Sequence, residues 1–186
     1  MHSIKPWITY EAQAYLDSIE IDHCDVFEYG SGSSTIYFAN RCKSVTAVEH
    51  NPAYYITLRK ELDERELDNV RLLIETPELI QGDAIGYFVG SYESKEHAPG
   101  YNFLRYCTSI ERTGQMFDFI SIDGRARISC VQHAINRLRD GGVIMLDNSE
   151  REHYKAGIKL LRDFNRIDLQ GAGDGGEWMT SFFTAK

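Results

Sequence analysis

Residues 25–51 read DVFEYGSGSSTIYFANRCKSVTAVEHN, and the order of their parts decides the fold. DVFEY is an apolar strand that runs into Gly30, Ser31 and Gly32. The two glycines let the backbone bend sharply and approach a ligand with no Cβ in the way. SSTIYFANRC follows as a helix, with serine and threonine at its start, where orphan N–H groups need acceptors. SVTAVEH alternates and is β-branched, so it forms a second strand ending near Glu49. Asn51 then caps a helix expected over residues 53–67, with Pro52 in its first turn, where a missing N–H does no harm.

The same alternation extends in both directions. Upstream, TYEAQAYLDSIE has helical spacing with Thr9 as its cap, and residues 1–24 read as a helical lead-in. Downstream, VRLLIE is a third strand. Residues 76–100, TPELIQGDAIGYFVGSYESKEHAPG, break every period with glycine, proline and charge. They are expected to form a surface excursion with at most short helices, acting as a lid or substrate loop. YNFLRYCTSIERTG reads as a helix ending at Gly114. FDFISIDG and GVIMLDN are apolar enough for burial on both faces of a parallel sheet. ARISCVQHAINRLRDGG between them reads as a helix stopped by glycines, and REHYKAGIKLLRDFNR as another helix. EWMTSFFTAK is a closing strand, with IDLQ a candidate strand before it. Alternating strands and helices with no linker or repeat predict one α/β domain over residues 1–186. Its expected form is a Rossmann-like three-layer αβα sandwich around a mostly parallel sheet.

Composition narrows the partners. The chain of 186 residues is 42% hydrophobic and 26% charged, with a formal net charge of −8. No basic stripe interrupts that acidity, so nucleic acid is an unfavourable partner and a small ligand carrying positive charge a favourable one. The four cysteines, Cys24, Cys42, Cys107 and Cys130, form no CxxC pair and read as free buried thiols. The start lacks the basic and apolar pattern of a signal peptide, and no apolar run spans a membrane, so a cytoplasmic location is expected.

In a sheet of this kind, ligands sit at the carboxyl ends of the strands, where strand order reverses. Glu49 falls roughly 20 residues after the glycine turn, where nucleotide folds place an acid for the ribose hydroxyls. Two residues argue against a dinucleotide. Thr35 stands where the dinucleotide fingerprint has its third glycine, and Glu28 would repel a pyrophosphate. Beside an ammonium or a sulfonium, the same Glu28 is attractive.

FEYGSGSSTIYFA with VTAVEHNP resembles the first two motifs of class I S-adenosylmethionine-dependent methyltransferases. FDFISIDGRAR and LRDGGVIMLDNSEREHY are similar to the fourth- and fifth-strand segments of small members, so the resemblance covers about residues 25–154. It implies a seven-stranded sheet whose last strand is antiparallel, with S-adenosylmethionine as cofactor. It also implies that Glu28 and the backbone of Gly30, Ser31 and Gly32 lie along the cofactor's amino-acid end, with Ser33 and Asp123 as further cofactor-binding candidates. Glu49 would hold the ribose and His50 would flank it. Asp83, in a displaced Gly82-Asp83-Ala84, is either the acid beside the adenine or part of a chance tripeptide. The glycine motif is shared by many methyltransferases and specifies no acceptor.

Asp123 ends one buried strand, and Asp147 and Asn148 end the next, so parallel neighbours would gather three hard oxygen donors of the kind Mg²⁺ accepts. The set resembles that of divalent-metal O-methyltransferases acting on catechol-like diols. The alternative is a metal-free site in which the same side chains contact cofactor or substrate, with Arg125 and Arg127 pairing Asp123 or holding an acidic substrate. For the acceptor's proton, His153, Tyr154 and Asp147 are candidate bases, His153 by its ordinary pKa, and Asp123 is a further catalytic candidate. Tyr87, Phe88, Tyr92 and Tyr101 either line an acceptor pocket or pack. The function expected is methyl transfer to a small molecule, with oxygen as nucleophile. A nicotinamide-dependent oxidoreductase and a non-catalytic nucleotide-binding module are the alternatives.

Overall fold

The structure is a computed structural model that describes residues 4–80, 92–94 and 98–186. Seven strands form the main sheet: β1 (Asp25–Tyr29), β2 (Ser44–Glu49), β3 (Val70–Ile74), β7 (Phe117–Ile122), β8 (Leu138–Asp147), β9 (Asn165–Gly173) and β10 (Gly176–Thr184). Their order is β3-β2-β1-β7-β8-β10-β9. The first five strands pair in parallel, and β10 lies antiparallel to both β8 and β9. The chain leaves the sheet after β3 at one edge and returns at β7, on the other side of β1. Strand order therefore reverses between β1 and β7, and a crevice opens above their carboxyl ends.

The central strands β1, β2 and β7 and the second half of β8 are buried on both faces, which explains why β7 and β8 read as near-continuous apolar runs. Successive residues go to opposite sides. Val26, Val45, Phe119, Met145 and Phe182 join one core with α1 (Tyr10–Ser18), α2 (Ser33–Ala39) and α3 (Pro52–Glu64). Phe27, Val48, Ile120, Leu146 and Phe183 join the other, under α4 (Leu104–Cys107), α5 (Ser109–Arg112) and α6 (Arg127–Ile135). Each large side chain so buried contributes roughly 1.5–3 kcal/mol. Local signals hold at the helix starts. The Thr9 hydroxyl accepts from the Ala12 N–H at 3.2 Å, and Asn51 accepts from the Ala53 N–H at 3.0 Å. The four cysteines are free and buried.

Four expected elements differ. α3 ends at Glu64, because Glu66 takes a left-handed backbone with φ +57°. The helix after β7 stops at Ile135, and Gly141 and Gly142 lie within β8, where a register shift between Phe117 and Phe119 absorbs them. Residues 101–114 begin as strand and continue as two short helices, α4 and α5. The stretch after β8 is a string of single turns, with only α7 (Lys155–Ile158) properly helical. Within 76–100, the described residues carry a three-stranded antiparallel sheet, β4 (Glu78–Leu79), β6 (Ala98–Asn102) and β5 (Glu93–Ser94). Asp83, Tyr87 and Phe88 lie outside the described residues. Among those described, no helix is long and apolar enough to cross a membrane.

Candidate functional site

The glycine turn is held by its own helix. Gly30 takes φ +93° and its N–H reaches the Val48 carbonyl at 3.1 Å. The Gly32 N–H donates to the Thr35 hydroxyl at 2.9 Å, and the hydroxyls of Ser34 and Thr35 both donate to Glu28. Thr35 thus does what a third glycine cannot, linking the turn to the strand beneath it. Glu28 is fully buried, and burial pushes its pKa up to about 7, with Glu49 adding to the rise and the two hydroxyls opposing it. It braces the turn from behind. The described residues lining the cleft above include the turn but not Glu28.

That cleft measures about 370 Å³ and runs between the turn, the end of β2, the first turn of α3 and Gly124. Gly30, Ser31, Gly32, Ser33, Glu49 and His50 all line it. Glu49 is 3% exposed; its carboxylate accepts from the Ser31 hydroxyl at 2.9 Å and the Asn51 N–H at 2.8 Å. Burial alone would raise its pKa, but the His50 ring 2.9 Å away, the Asn51 N–H and Ser31 outweigh burial, and the net shift is downward. An ionised carboxylate with fixed orientation therefore borders the cleft beside the glycine turn, tied to it through Ser31.

A second cleft of about 460 Å³ lies over the ends of β7 and β8 and shares Trp7 and Asp123 with the first. The chain's two tryptophans, Trp7 and Trp178, both border it. Asp123, Asp147 and Asn148 come together here, but around a guanidinium. Arg127 contacts the Asp123 carboxylate at 2.8 Å and the Asn148 side-chain oxygen at 3.1 Å, and reaches toward Asp147 at 3.5 Å. The other Asp147 oxygen accepts from Trp178 Nε1 at 2.8 Å and the Thr180 hydroxyl at 2.7 Å. These residues do not fit Mg²⁺: a buried cation already sits among the donors, and like charges in one small space repel strongly. No cluster of three or more His, Cys, Asp or Glu able to hold a metal occurs among the described residues. Burial, with Asp147 and Glu28 nearby and against the pull of Arg127, raises the Asp123 pKa well above the carboxylate range.

The remaining candidates separate. His153 sits in a single turn beside Tyr154, with ring centroids 4.5 Å apart, and is not among the residues lining either cleft. Tyr154 is buried, with the Arg127 and Arg151 guanidinium groups each 5.9 Å from its ring. Tyr92 stacks on His133, and Tyr101 is exposed in the small sheet. Arg125 lines the first cleft. Several lining residues escape sequence reasoning, among them Trp7, Tyr54, Gly124, Glu150, Arg151 and Trp178. Gly124 alone had a local signal, since it follows β7 as Gly30 follows β1.

Solved structures share this fold. The fold is that of the class I methyltransferases. An O-methyltransferase from Bacillus cereus in complex with S-adenosylhomocysteine is 19% identical, covering 87% of this chain and 74% of that one at a TM-score of 0.63. The O-methyltransferase TomG from Streptomyces achromogenes, involved in tomaymycin synthesis and solved with S-adenosylmethionine, is 14% identical over 89% of this chain and 74% of its own, at 0.64. An rRNA methylase from Streptococcus thermophilus is 11% identical, covering 97% of this chain and 100% of that chain at 0.63. No family model matches the sequence, and no curated protein does. The methyltransferase fold explains the single antiparallel strand at β10 and the position of the first cleft at the β1–β7 reversal.

Proposed function

We propose that the protein transfers a methyl group from S-adenosylmethionine to an oxygen of a small-molecule acceptor. The observation that carries this reading is the ionised Glu49 carboxylate bordering, beside the Gly30–Ser31–Gly32 turn, a cleft of about 370 Å³. The residues present fit the cofactor: Glu49 offers acceptor lone pairs for ribose hydroxyls, and the turn offers a surface without Cβ atoms. Neighbours of the same fold hold S-adenosylmethionine or its demethylated product, which supports the same choice.

When bound, the cofactor supplies an already activated sulfonium methyl. The chain's task is then to align the acceptor and take up its proton. Asp123 borders both clefts, which places its side chain to take up that proton. Trp7 and Trp178 border the second cleft, where their aromatic faces suit a planar acceptor. Acidic residues outnumber basic ones by 28 to 20, so an RNA acceptor would meet a repulsive field. Calorimetric titration with S-adenosylhomocysteine tests the reading. Binding that weakens in Glu49→Ala is expected, and no binding to a folded wild-type sample overturns it.

A further inference from the structure

We infer that Arg127 is the resident cation of the acceptor site, standing where a divalent ion would otherwise sit, so that the site works without metal. The inference rests on the methyl-transfer reading for which cleft receives the acceptor, but its central claim concerns only the side chains at the ends of β7 and β8.

A guanidinium has five N–H donors in a fixed planar fork. Here every nitrogen is engaged. Nε donates to the Gly124 carbonyl at 3.0 Å. Nη1 donates to the Asp147 carbonyl at 2.6 Å and the Asn148 side-chain oxygen at 3.1 Å. Nη2 donates to the Asp123 carbonyl at 2.9 Å and meets the Asp123 carboxylate at 2.8 Å. The arginine therefore addresses, as hydrogen-bond donor, the oxygens that a hard ion would address as ligands. It also ties the carbonyl of Asp147, the last residue of β8, to that of Asp123, just beyond the end of the adjacent parallel strand β7. Arg127 is 9% exposed, so displacing it would uncover a buried charge as well as three backbone acceptors.

Two consequences follow for the reaction. With its donors committed to the protein, Arg127 does not chelate an acceptor's hydroxyls; it is a positioning residue that fixes the Asp123 carboxylate at the junction of the two clefts. A vicinal diol, the arrangement an ion would grip with two oxygens, has no advantage over a single hydroxyl here.

Manganese provides the direct test, because free aqueous Mn²⁺ has an electron paramagnetic resonance signal that is lost on binding. The wild-type protein is titrated with Mn²⁺ alone, with S-adenosylhomocysteine, and with S-adenosylhomocysteine plus catechol. The inference requires the full free-ion signal in all three. Stoichiometric loss of signal in any of them overturns it. Arg127→Met then removes the cation while keeping bulk, and its fold is checked by circular dichroism. A folded variant should bind Mn²⁺ roughly tenfold or more tightly than wild type, since three oxygen donors are freed. A folded variant with no gain contradicts the claim that arginine occupies the ion's place. If the variant fails to fold, the three wild-type titrations decide alone. Binding of S-adenosylhomocysteine, measured calorimetrically on the same wild-type sample, keeps failure of the methyltransferase reading separate from failure of this one.

Discussion

Gly30 and Gly124 meet backbone to backbone at the carboxyl ends of β1 and β7: a Cβ built on Gly30 would stand 2.5 Å from the Gly124 Cα. A Cβ on Gly124 would stand 2.9 Å from the Gly30 Cα and overlap the Tyr106 hydroxyl. Both strands can end side by side only because neither residue has a side chain. Gly124→Ala is therefore expected to destabilise the protein by about 1–3 kcal/mol, seen as a lower midpoint in denaturant. Its affinity for S-adenosylhomocysteine should fall with it, because the turn loses its floor. A variant with unchanged stability would show that the strands separate easily.

Burial of Glu28 gives stability a dependence on pH. Its folded pKa of about 7 lies above the ordinary 4.5. A raised pKa means a stabilising contribution present below the ordinary value and lost as pH rises through about 7. Glu28→Gln cannot titrate, so the difference in unfolding free energy between about pH 5 and about pH 8 should shrink, by up to about 3 kcal/mol. Urea melts at the two pH values measure it. An equal pH dependence in both proteins would place the titration on another group.

Glu49→Ala should weaken S-adenosylhomocysteine binding roughly 10- to 100-fold, the worth of hydrogen bonds to a charged group. Glu49→Gln, which keeps one acceptor oxygen, should fall between. Calorimetry of the three proteins settles the order, and equal affinities would remove Glu49 from the site.

Thr35→Gly supplies the third glycine of the dinucleotide fingerprint and deletes a hydroxyl bonded to both the Gly32 N–H and Glu28. The expected result is a loss of about 1–2 kcal/mol, from the lost hydrogen bonds and the added backbone freedom. Thermal or urea unfolding reads the difference; a neutral outcome would mean that water replaces the hydroxyl.

The two tryptophans report separately on the two clefts. Trp7 borders both, whereas Trp178 borders only the second and is tied to Asp147. In Trp178→Phe, the emission of Trp7 should shift on adding S-adenosylhomocysteine; in Trp7→Phe, the emission of Trp178 should stay unchanged. A shift of Trp178 instead would place the ligand over β8.

Residues 25–51 by themselves determined the strand, turn, helix and strand that open the fold, because each depends on local chemistry. Glycines bend, hydroxyls and Asn51 cap, and β-branched runs extend. The apolar runs of β7 and β8 determined a sheet buried on both faces, since no other placement removes so many contiguous apolar side chains from water. The sequence also brought Asp123, Asp147 and Asn148 to adjacent strand ends. Only the tertiary structure decided what lies among them. Arg127 lies four residues beyond Asp123, and its partners come from the ends of two strands, so its role depends on where the start of α6 is packed. Tertiary packing likewise turned Glu28 inward, brought Trp7 from the start of the chain to Trp178 near its end, and drew His153 away from both clefts. Spacing along the chain carries hydrogen-bond and burial patterns within an element. The meeting of charged groups from separate elements is fixed only when the layers close and desolvation decides which of them pair.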